Sequence, residues 1–134
     1  MAKRSPEPRW LSRVVVDAIH HDQLREHGGL QGIRDENVLE SALARPQHKW
    51  HDAEETHLAT LAAAYGFGLV KHHPYRDGNK RIGLLAIATF LGINGYDLRA
   101  TDADVVTQIL ALADNRVSEA GLADWTQTHS SKHK

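Results

Sequence analysis

Two apolar stretches separated by a short polar segment are the feature that most constrains the fold of this chain. Residues 53–72 are rich in Ala and Leu and carry apolar side chains at helical spacing, and residues 80–92 are almost wholly apolar. Stretches of this kind predict helices that are buried in a protein core. Pro74 prevents the first helix from simply continuing into the second, so the chain must bend at the polar segment between them.

Two helices are predicted before this pair from capping residues and apolar periodicity. Ser12 is a natural N-cap for the first helix, which ends at the Gly28–Gly29 pair. Asp35 is the N-cap of the second helix, which is expected to stop before Pro46 because a helix rarely continues through a proline.

Two more helices are predicted after the pair. One begins at Thr101, which forms a capping box with Asp104, and runs to about residue 113, and the other begins at Ser118. Residues 96–98 favour a short extended segment. The sequence therefore predicts an all-α fold, a compact bundle of about six helices with a small loop or hairpin flap.

The predicted loop or flap lies between Gln47 and Asp52, where the residues are mostly polar and show no clear period. It carries one tryptophan, Trp50. Two roles fit this residue equally well: contact with a target molecule, or a lid over the core.

Length and composition limit the possible classes of protein. A chain of 134 residues with 41% hydrophobic content predicts one domain over residues 1–134, with flexible ends at about residues 1–10 and 129–134. A formal net charge of −1 provides no general attraction for nucleic acid or an acidic membrane, so any anion must bind locally. The sequence contains neither an apolar signal segment nor a membrane span, and we expect a cytoplasmic protein.

The polar segment from His73 to Arg81 carries residues that suit phosphate chemistry. At a helix N-terminus the backbone from Gly78 onwards, including Asn79, can form a cradle for an anion, because its N–H groups have no partner within the helix. The guanidinium group of Arg81 can donate hydrogen bonds to two phosphate oxygens at once, and Lys80 adds a compact positive charge.

Asp77 and His73 complete the candidate site. A carboxylate beside a phosphate cradle is a natural ligand for Mg²⁺, because this cation prefers oxygen and usually bridges a carboxylate to phosphate oxygens. We therefore predict that Asp77 is the metal ligand. A histidine that is neutral at working pH can accept a proton from an attacking hydroxyl group, which makes His73 the candidate general base.

The polar segment resembles the signature of the Fic family, His-Pro-Phe-x-Asp-Gly-Asn-Gly-Arg, with Tyr75 in place of Phe and Lys80 in place of the second Gly. A lysine there resembles the death-on-curing branch, the Doc toxins. Residues 27–35 and 39–47 also resemble the Doc pattern at the right separation, so the resemblance covers about residues 12–128. It implies a Fic-type helical bundle.

The resemblance also implies a role for each residue of the segment. His73 would be the catalytic base, Asp77 would bind Mg²⁺, and Tyr75 would be the buried aromatic residue that anchors the loop. Four residues would bind the phosphates of ATP: Gly78, Asn79, Lys80 and Arg81.

Leu84 bears on which group is transferred. Family members that transfer AMP usually have a second arginine three residues after the first, and this chain has Leu84 there. Doc-like proteins bind ATP in the reverse of the orientation used for AMP transfer, and they transfer its γ-phosphate. The resemblance therefore implies a protein phosphotransferase, with AMP transfer to a protein hydroxyl as the alternative.

Membership of the Doc branch would also imply partners. Doc-type toxins modify elongation factor Tu on a threonine, which stops translation, and an antitoxin silences them. In such proteins the segment before the central helix is a flap that aligns the target chain by strand addition. Some Fic proteins carry an inhibitory motif, Ser/Thr-x-x-x-Glu-Gly/Asn, which this sequence lacks. We therefore expect a type II toxin–antitoxin system whose antitoxin acts in trans.

Two other classes of protein fit parts of the sequence. The pairs His21–Asp22 and His51–Asp52 resemble the His-Asp pair of HD-type phosphohydrolases, which are metal enzymes. A non-catalytic module would keep the polar segment only as an anion or peptide site. Five further histidines are expected at the surface or hydrogen-bonded in the core: His20, His48, His57, His72 and His129.

Overall fold

The computed structural model describes residues 6–133. Within that range the chain forms six helices and two short antiparallel strands, which confirms the predicted all-α fold. The helices are α1 (Arg13–His27), α2 (Glu36–Asp52), α3 (Leu58–His72), α4 (Asn79–Ile93), α5 (Asp102–Ala113) and α6 (Glu119–Thr128). The strands are β1 (Tyr96–Leu98) and β2 (Ser130–Lys132).

Helix α3 forms the centre of the core and packs against α2, α4 and α6. It approaches α4 closely because two glycines stand where the helices meet. A methyl group on Gly66 would lie 2.5 Å from Cδ1 of Ile87, and one on Gly83 would lie 2.5 Å from Cγ2 of Val70. All six described helices contribute side chains to the same core cluster. No helix among residues 6–133 is both long enough and apolar enough to cross a lipid bilayer.

The predicted N-caps of four helices are confirmed. In each case the side-chain oxygen of the cap accepts the N–H of the residue three positions on, which satisfies one of the unpaired donors at the helix end. The pairs are Ser12 with Val15, Asp35 with Val38, Thr101 with Asp104, and Ser118 with Gly121. Helix α4 is different, because its N-cap is Gly78 and makes no such side-chain bond.

Helix α2 is longer than predicted. It continues through Pro46 to Asp52, and the predicted end before Pro46 and the predicted loop or flap at residues 47–52 are wrong. A proline inside a helix removes one backbone hydrogen bond. Burial offsets that loss here, because Trp50 is only 3% exposed and its ring meets the edge of Trp10 at 6.5 Å. Trp50 therefore lies over the core, which is one of its two predicted roles.

Both described ends of the chain, which fall within the ends predicted to be flexible, make contacts with the rest of the fold. The backbone of Arg9 exchanges two hydrogen bonds with the side chain of Asn94, and the Leu11 N–H donates to the Tyr65 hydroxyl at 3.0 Å. At the other end β2 pairs with β1, which confirms the extended segment predicted at residues 96–98. Residues 1–5 and 134 of the predicted ends lie outside the described range.

We expect replacement of Trp10 by alanine to lower the free energy of unfolding by about 2 kcal/mol, since the ring stacks on Phe90 at 5.9 Å and is half-buried. Urea denaturation followed by circular dichroism would measure the change. Val14→Ala is the control, because Val14 is 78% exposed. An unchanged unfolding midpoint for Trp10→Ala would mean that the N-terminal segment does not stabilise the core.

Candidate active site

The polar segment links the C-terminal end of α3 to the N-terminal end of α4 and lines an open pocket of about 370 Å³. The pocket is lined by His73, Arg76, Asp77, Gly78, Asn79, Lys80 and Arg81. The structure thus brings all six predicted site residues to one pocket and adds Arg76, to which the sequence assigned no role.

His73 stands at the end of α3 in the left-handed conformation, with φ at 49°. This conformation is uncommon for a residue other than glycine. Arg34 stabilises it: its Nε donates to the His73 carbonyl oxygen at 2.5 Å and its Nη2 donates to the His72 carbonyl oxygen at 2.8 Å. A cation at a helix C-terminus also interacts favourably with the helix dipole. The backbone that carries the His73 side chain is therefore fixed by Arg34.

A second set of bonds ties the bend to the segment between α1 and α2. The N–H of Arg76 donates to the Gly32 carbonyl oxygen at 3.1 Å, and Ile33 pairs with Tyr75 in an isolated antiparallel bridge. The N–H of Arg34 donates to the Pro74 carbonyl oxygen at 2.8 Å. Residues 27–35, which resemble the Doc pattern in sequence, are thus in direct contact with the polar segment.

The carboxylate of Asp77 is held by two backbone donors. Leu30 N–H donates to its Oδ2 at 3.1 Å, and the N–H of Gly78 donates to its Oδ1 at 2.9 Å. These two hydrogen bonds lower the pKa of the Asp77 carboxyl group, and the charge of Arg81 lowers it further. A methyl group on Gly29 would lie 2.9 Å from Oδ2, so a glycine is needed for the chain to pass this close to the carboxylate.

The N-terminus of α4 presents free backbone donors to the pocket. Gly78 adopts a left-handed conformation with φ at 77°, and its carbonyl oxygen accepts the first intrahelical bond, from the N–H of Ile82. The N–H groups of residues 79–81 therefore have no partner within the helix. Lys80 and Arg81 are exposed, and neither forms an ion pair with any residue in the range 6–133. The arrangement is that of an anion cradle.

Asn79 differs from its neighbours because its side chain is engaged with the turn itself. The amide oxygen accepts the N–H of Tyr75 at 3.0 Å, and the amide nitrogen donates to the Tyr75 carbonyl oxygen at 3.0 Å. Asn79 is only 8% exposed. Its side chain closes the turn, and it is the backbone N–H of Asn79 that remains at the helix N-terminus for an anion.

The stacked rings of Tyr75 and His20 pack against the buried side of the turn. Tyr75 is buried, as predicted, and its hydroxyl donates to Oδ1 of Asp17 at 2.7 Å. Burial raises the pKa of the Tyr75 hydroxyl, and the bond to Asp17 raises it further. The ring of His20 stacks on that of Tyr75 at 3.7 Å. The sequence predicted only that His20 would lie at the surface or hydrogen-bonded in the core, and it gave no sign of this contact.

Comparison with known proteins agrees with the geometry of the pocket. The sequence profile described as the Fic/DOC family matches residues 10–91. The chain belongs to the Fic/DOC family. It is 27% identical over 116 residues to the protein named Protein kinase doc of Escherichia phage P1, a match that covers 87% of this chain and 91% of the phage protein. It is 42% identical over 79 residues to the protein named Toxin Doc of Mycolicibacterium smegmatis, covering 58% of this chain and 60% of that protein.

Asp77 fits the metal that the Fic/DOC resemblance implies. Its carboxylate is exposed, has a lowered pKa, and stands beside the anion cradle. Residues 6–133 contain no group of three or more His, Cys, Asp or Glu side chains that would enclose a metal ion. A cation that takes one protein carboxylate and completes its shell with phosphate oxygens and water matches this donor set, which is the usual behaviour of Mg²⁺.

The HD-type alternative has no support in the structure. His21 and Asp22 lie on α1, whereas His51 and Asp52 end α2, and all four side chains are exposed. Neither pair belongs to a cluster of metal-ligating side chains within the described residues. The Fic/DOC pocket therefore remains the candidate active site.

We expect a ¹³C NMR titration to give a midpoint for the Asp77 carboxyl group below 3.8, the ordinary value for aspartate. A lowered folded-state pKa means that the carboxylate stabilises the fold above pH 3.8 and that this contribution is lost as the pH falls through the lowered pKa. The difference in free energy of unfolding between the wild type and Asp77→Asn should therefore become smaller as the pH falls below 3.8. The same carboxyl group in the urea-unfolded protein is the reference, and an equal or higher midpoint in the folded protein contradicts the prediction.

Proposed function

We propose that this chain is a Doc-like toxin that transfers the γ-phosphate of ATP to a hydroxyl group of a protein target. The observation that carries the proposal is one pocket, in a member of the Fic/DOC family, that combines His73, the Asp77 carboxylate and the free N-terminus of α4. A proton acceptor, a metal ligand and an anion cradle are the parts that phosphoryl transfer to a hydroxyl group requires.

His73 is the general base in this proposal. Its imidazole lines the pocket, and no other residue in the described part of the chain hydrogen-bonds to it. A ring nitrogen is thus available to take the proton from the attacking hydroxyl group as the new oxygen–phosphorus bond forms. The bond between the γ-phosphorus and the bridging oxygen breaks, and ADP leaves with that oxygen.

The other residues neutralise and orient the phosphates. Asp77 would hold Mg²⁺, which supplies positive charge to the phosphate oxygens. The N–H groups of residues 79–81 would donate to a phosphate group, and Lys80 and Arg81 would balance its charge. The residues that line the pocket include three cations, Arg76, Lys80 and Arg81, and a single carboxylate, Asp77. The pocket therefore favours an anion with several negative charges.

Leu84 favours γ-phosphate transfer over AMP transfer. It lies on α4 one turn after Arg81, is half-buried, and packs against the core. In the orientation of ATP that AMP transfer uses, a second arginine pairs with a phosphate group. An apolar side chain at this position cannot form that pair. The relative named Protein kinase doc agrees with this choice.

The target and the regulator form part of the same proposal. We take elongation factor Tu as the protein substrate and an antitoxin acting in trans as the inhibitor, because the two relatives are Doc proteins and one is named a toxin. Both the substrate and ATP are cytoplasmic, so the protein would act in the cytoplasm.

We expect the purified protein to transfer label from γ-labelled ATP, and not from α-labelled ATP, to purified elongation factor Tu in the presence of magnesium. His73→Ala and Asp77→Ala should each reduce the rate by roughly 100-fold or more, because the first removes the base and the second removes the metal ligand. Incorporation is measured on a denaturing gel, with circular dichroism to verify the fold of each variant.

The matched control for this experiment is His72→Ala, since His72 is an exposed neighbour that does not line the pocket. Transfer of the α-label would contradict phosphotransfer and support AMP transfer. If neither label is transferred, and His73→Ala binds nucleotide as the wild type does, the pocket belongs to a non-catalytic binding module.

We expect induced expression of the chain in a bacterial host to arrest growth within a few generations. His73→Ala should remove the arrest because the base is lost, and His72→Ala should retain it. Colony counts after induction measure the effect, and immunoblots check that the variants accumulate equally. Unimpaired growth alongside active γ-label transfer in vitro would refute the toxin role while leaving the enzymatic activity intact.

A further inference from the structure

His20 is a buried histidine that contacts three residues of the turn between α3 and α4. It is 5% exposed and lies on α1, far from the turn in sequence. Its ring stacks on Tyr75 with the planes 13° apart, and its Nε2 lies 2.8 Å from the carbonyl oxygen of Asp77. A methyl group on Gly78 would lie 3.4 Å from Nε2, so the ring also forms the wall behind that glycine.

The bond to Asp77 has a definite direction. A carbonyl oxygen can only accept a hydrogen bond, so Nε2 of His20 carries the proton and donates it. This bond is made to the backbone of Asp77, whereas the two bonds from Leu30 and Gly78 are made to its carboxylate. The backbone and the side chain of Asp77 are therefore each held by hydrogen bonds of their own.

The direction of the Asp77 side chain depends on both sets of bonds. The Gly78 N–H that binds the carboxylate belongs to the same peptide plane as the Asp77 carbonyl group. Without the His20 donor that plane could rotate, and the rotation would move the N–H away from Oδ1 of the carboxylate. Because Gly78 has no side chain and a left-handed conformation, the backbone that follows provides little resistance to such a change. The hydrogen bond from His20 thus stabilises the turn at a point where its own backbone offers little resistance.

We propose that His20 is a positioning residue, which orients the Asp77 carboxylate towards the magnesium ion of a bound nucleotide. The proposal rests on the assignment of Asp77 as metal ligand in the proposed function. His20 touches neither the metal nor the phosphates. It acts through the Asp77 backbone in the way that hydrogen bonds outside the ligand shell orient metal ligands in other proteins.

Calorimetric titration with the non-hydrolysable ATP analogue AMP-PNP tests the proposal without relying on turnover. Each protein is titrated once in magnesium chloride and once in EDTA, and the ratio of the two dissociation constants gives the gain in affinity due to the metal. We expect His20→Phe, which keeps an aromatic ring against Tyr75 but has no donor, to reduce that gain by about 10-fold. Its affinity in EDTA should equal that of the wild type.

Two matched variants separate positioning from folding. His20→Gln restores an N–H donor at nearly the same place and should recover most of the metal-dependent gain. His21→Phe makes the same substitution at the exposed neighbouring residue and should leave the gain unchanged. An unchanged gain in His20→Phe, or an equal loss in His20→Phe and His20→Gln, overturns the proposal.

Nitrogen-15 NMR of the wild-type imidazole rings provides a measurement that needs no variant. We expect His20 to be the Nε2–H tautomer, with slow exchange of that proton. The Nδ1–H tautomer would overturn the proposal, because Nε2 would then have no proton to donate to Asp77.

Failure of this proposal and failure of the proposed function give different results. If His20→Phe loses the metal-dependent gain but the wild type transfers no label, His20 is a positioning residue and the assignment as a kinase is wrong. If the wild type transfers γ-label and His20→Phe keeps the gain, the kinase assignment stands and the role of His20 is refuted. A wild type with no metal-dependent gain refutes the role of His20 together with that of Asp77 as metal ligand.

Discussion

The bend between α3 and α4 depends on hydrogen bonds that it receives from the segment between α1 and α2. Arg34 binds the carbonyl groups of His72, His73 and Pro74, and the Leu30 N–H binds the Asp77 carboxylate. Polar backbone groups at a helix end need such partners, because the helix itself cannot provide them. The nine-residue polar segment is therefore only one part of the candidate site, and the residues between α1 and α2 stabilise its conformation.

Two left-handed residues mark the ends of this bend, and they differ in what supports them. Gly78 adopts the conformation without steric cost, since it has no Cβ. His73 has a Cβ, and Arg34 stabilises its conformation from outside. The direction of the proposed base, His73, is consequently set by the backbone at the end of α3, and the direction of the anion cradle is set by the start of α4. Close packing of those two helices fixes the distance between base and cradle.

The helices and the candidate site could be predicted because their signals are local in the sequence. Caps such as Ser12 and Asp35 act on residues three positions away, and the polar segment is contiguous. The path of α2 through Pro46 could not be predicted, since it depends on the burial of Trp50 against Trp10. The bonds from Arg34 to His73 and from His20 to Asp77 join residues 39 and 57 positions apart, and no periodicity indicates contacts at such distances.

The pairing of β1 with β2 places the two described ends of the chain at the same pole of the molecule. The strand β1 follows the C-terminal end of α4, where the side chain of Asn94 also binds the backbone of Arg9. Helix α4 has 15 residues and is roughly 22 Å long, so the anion cradle at its other end is well separated from both. Fusion partners, affinity tags or surface tethers attached near either described end would leave the pole that carries the candidate active site open to the proposed protein substrate.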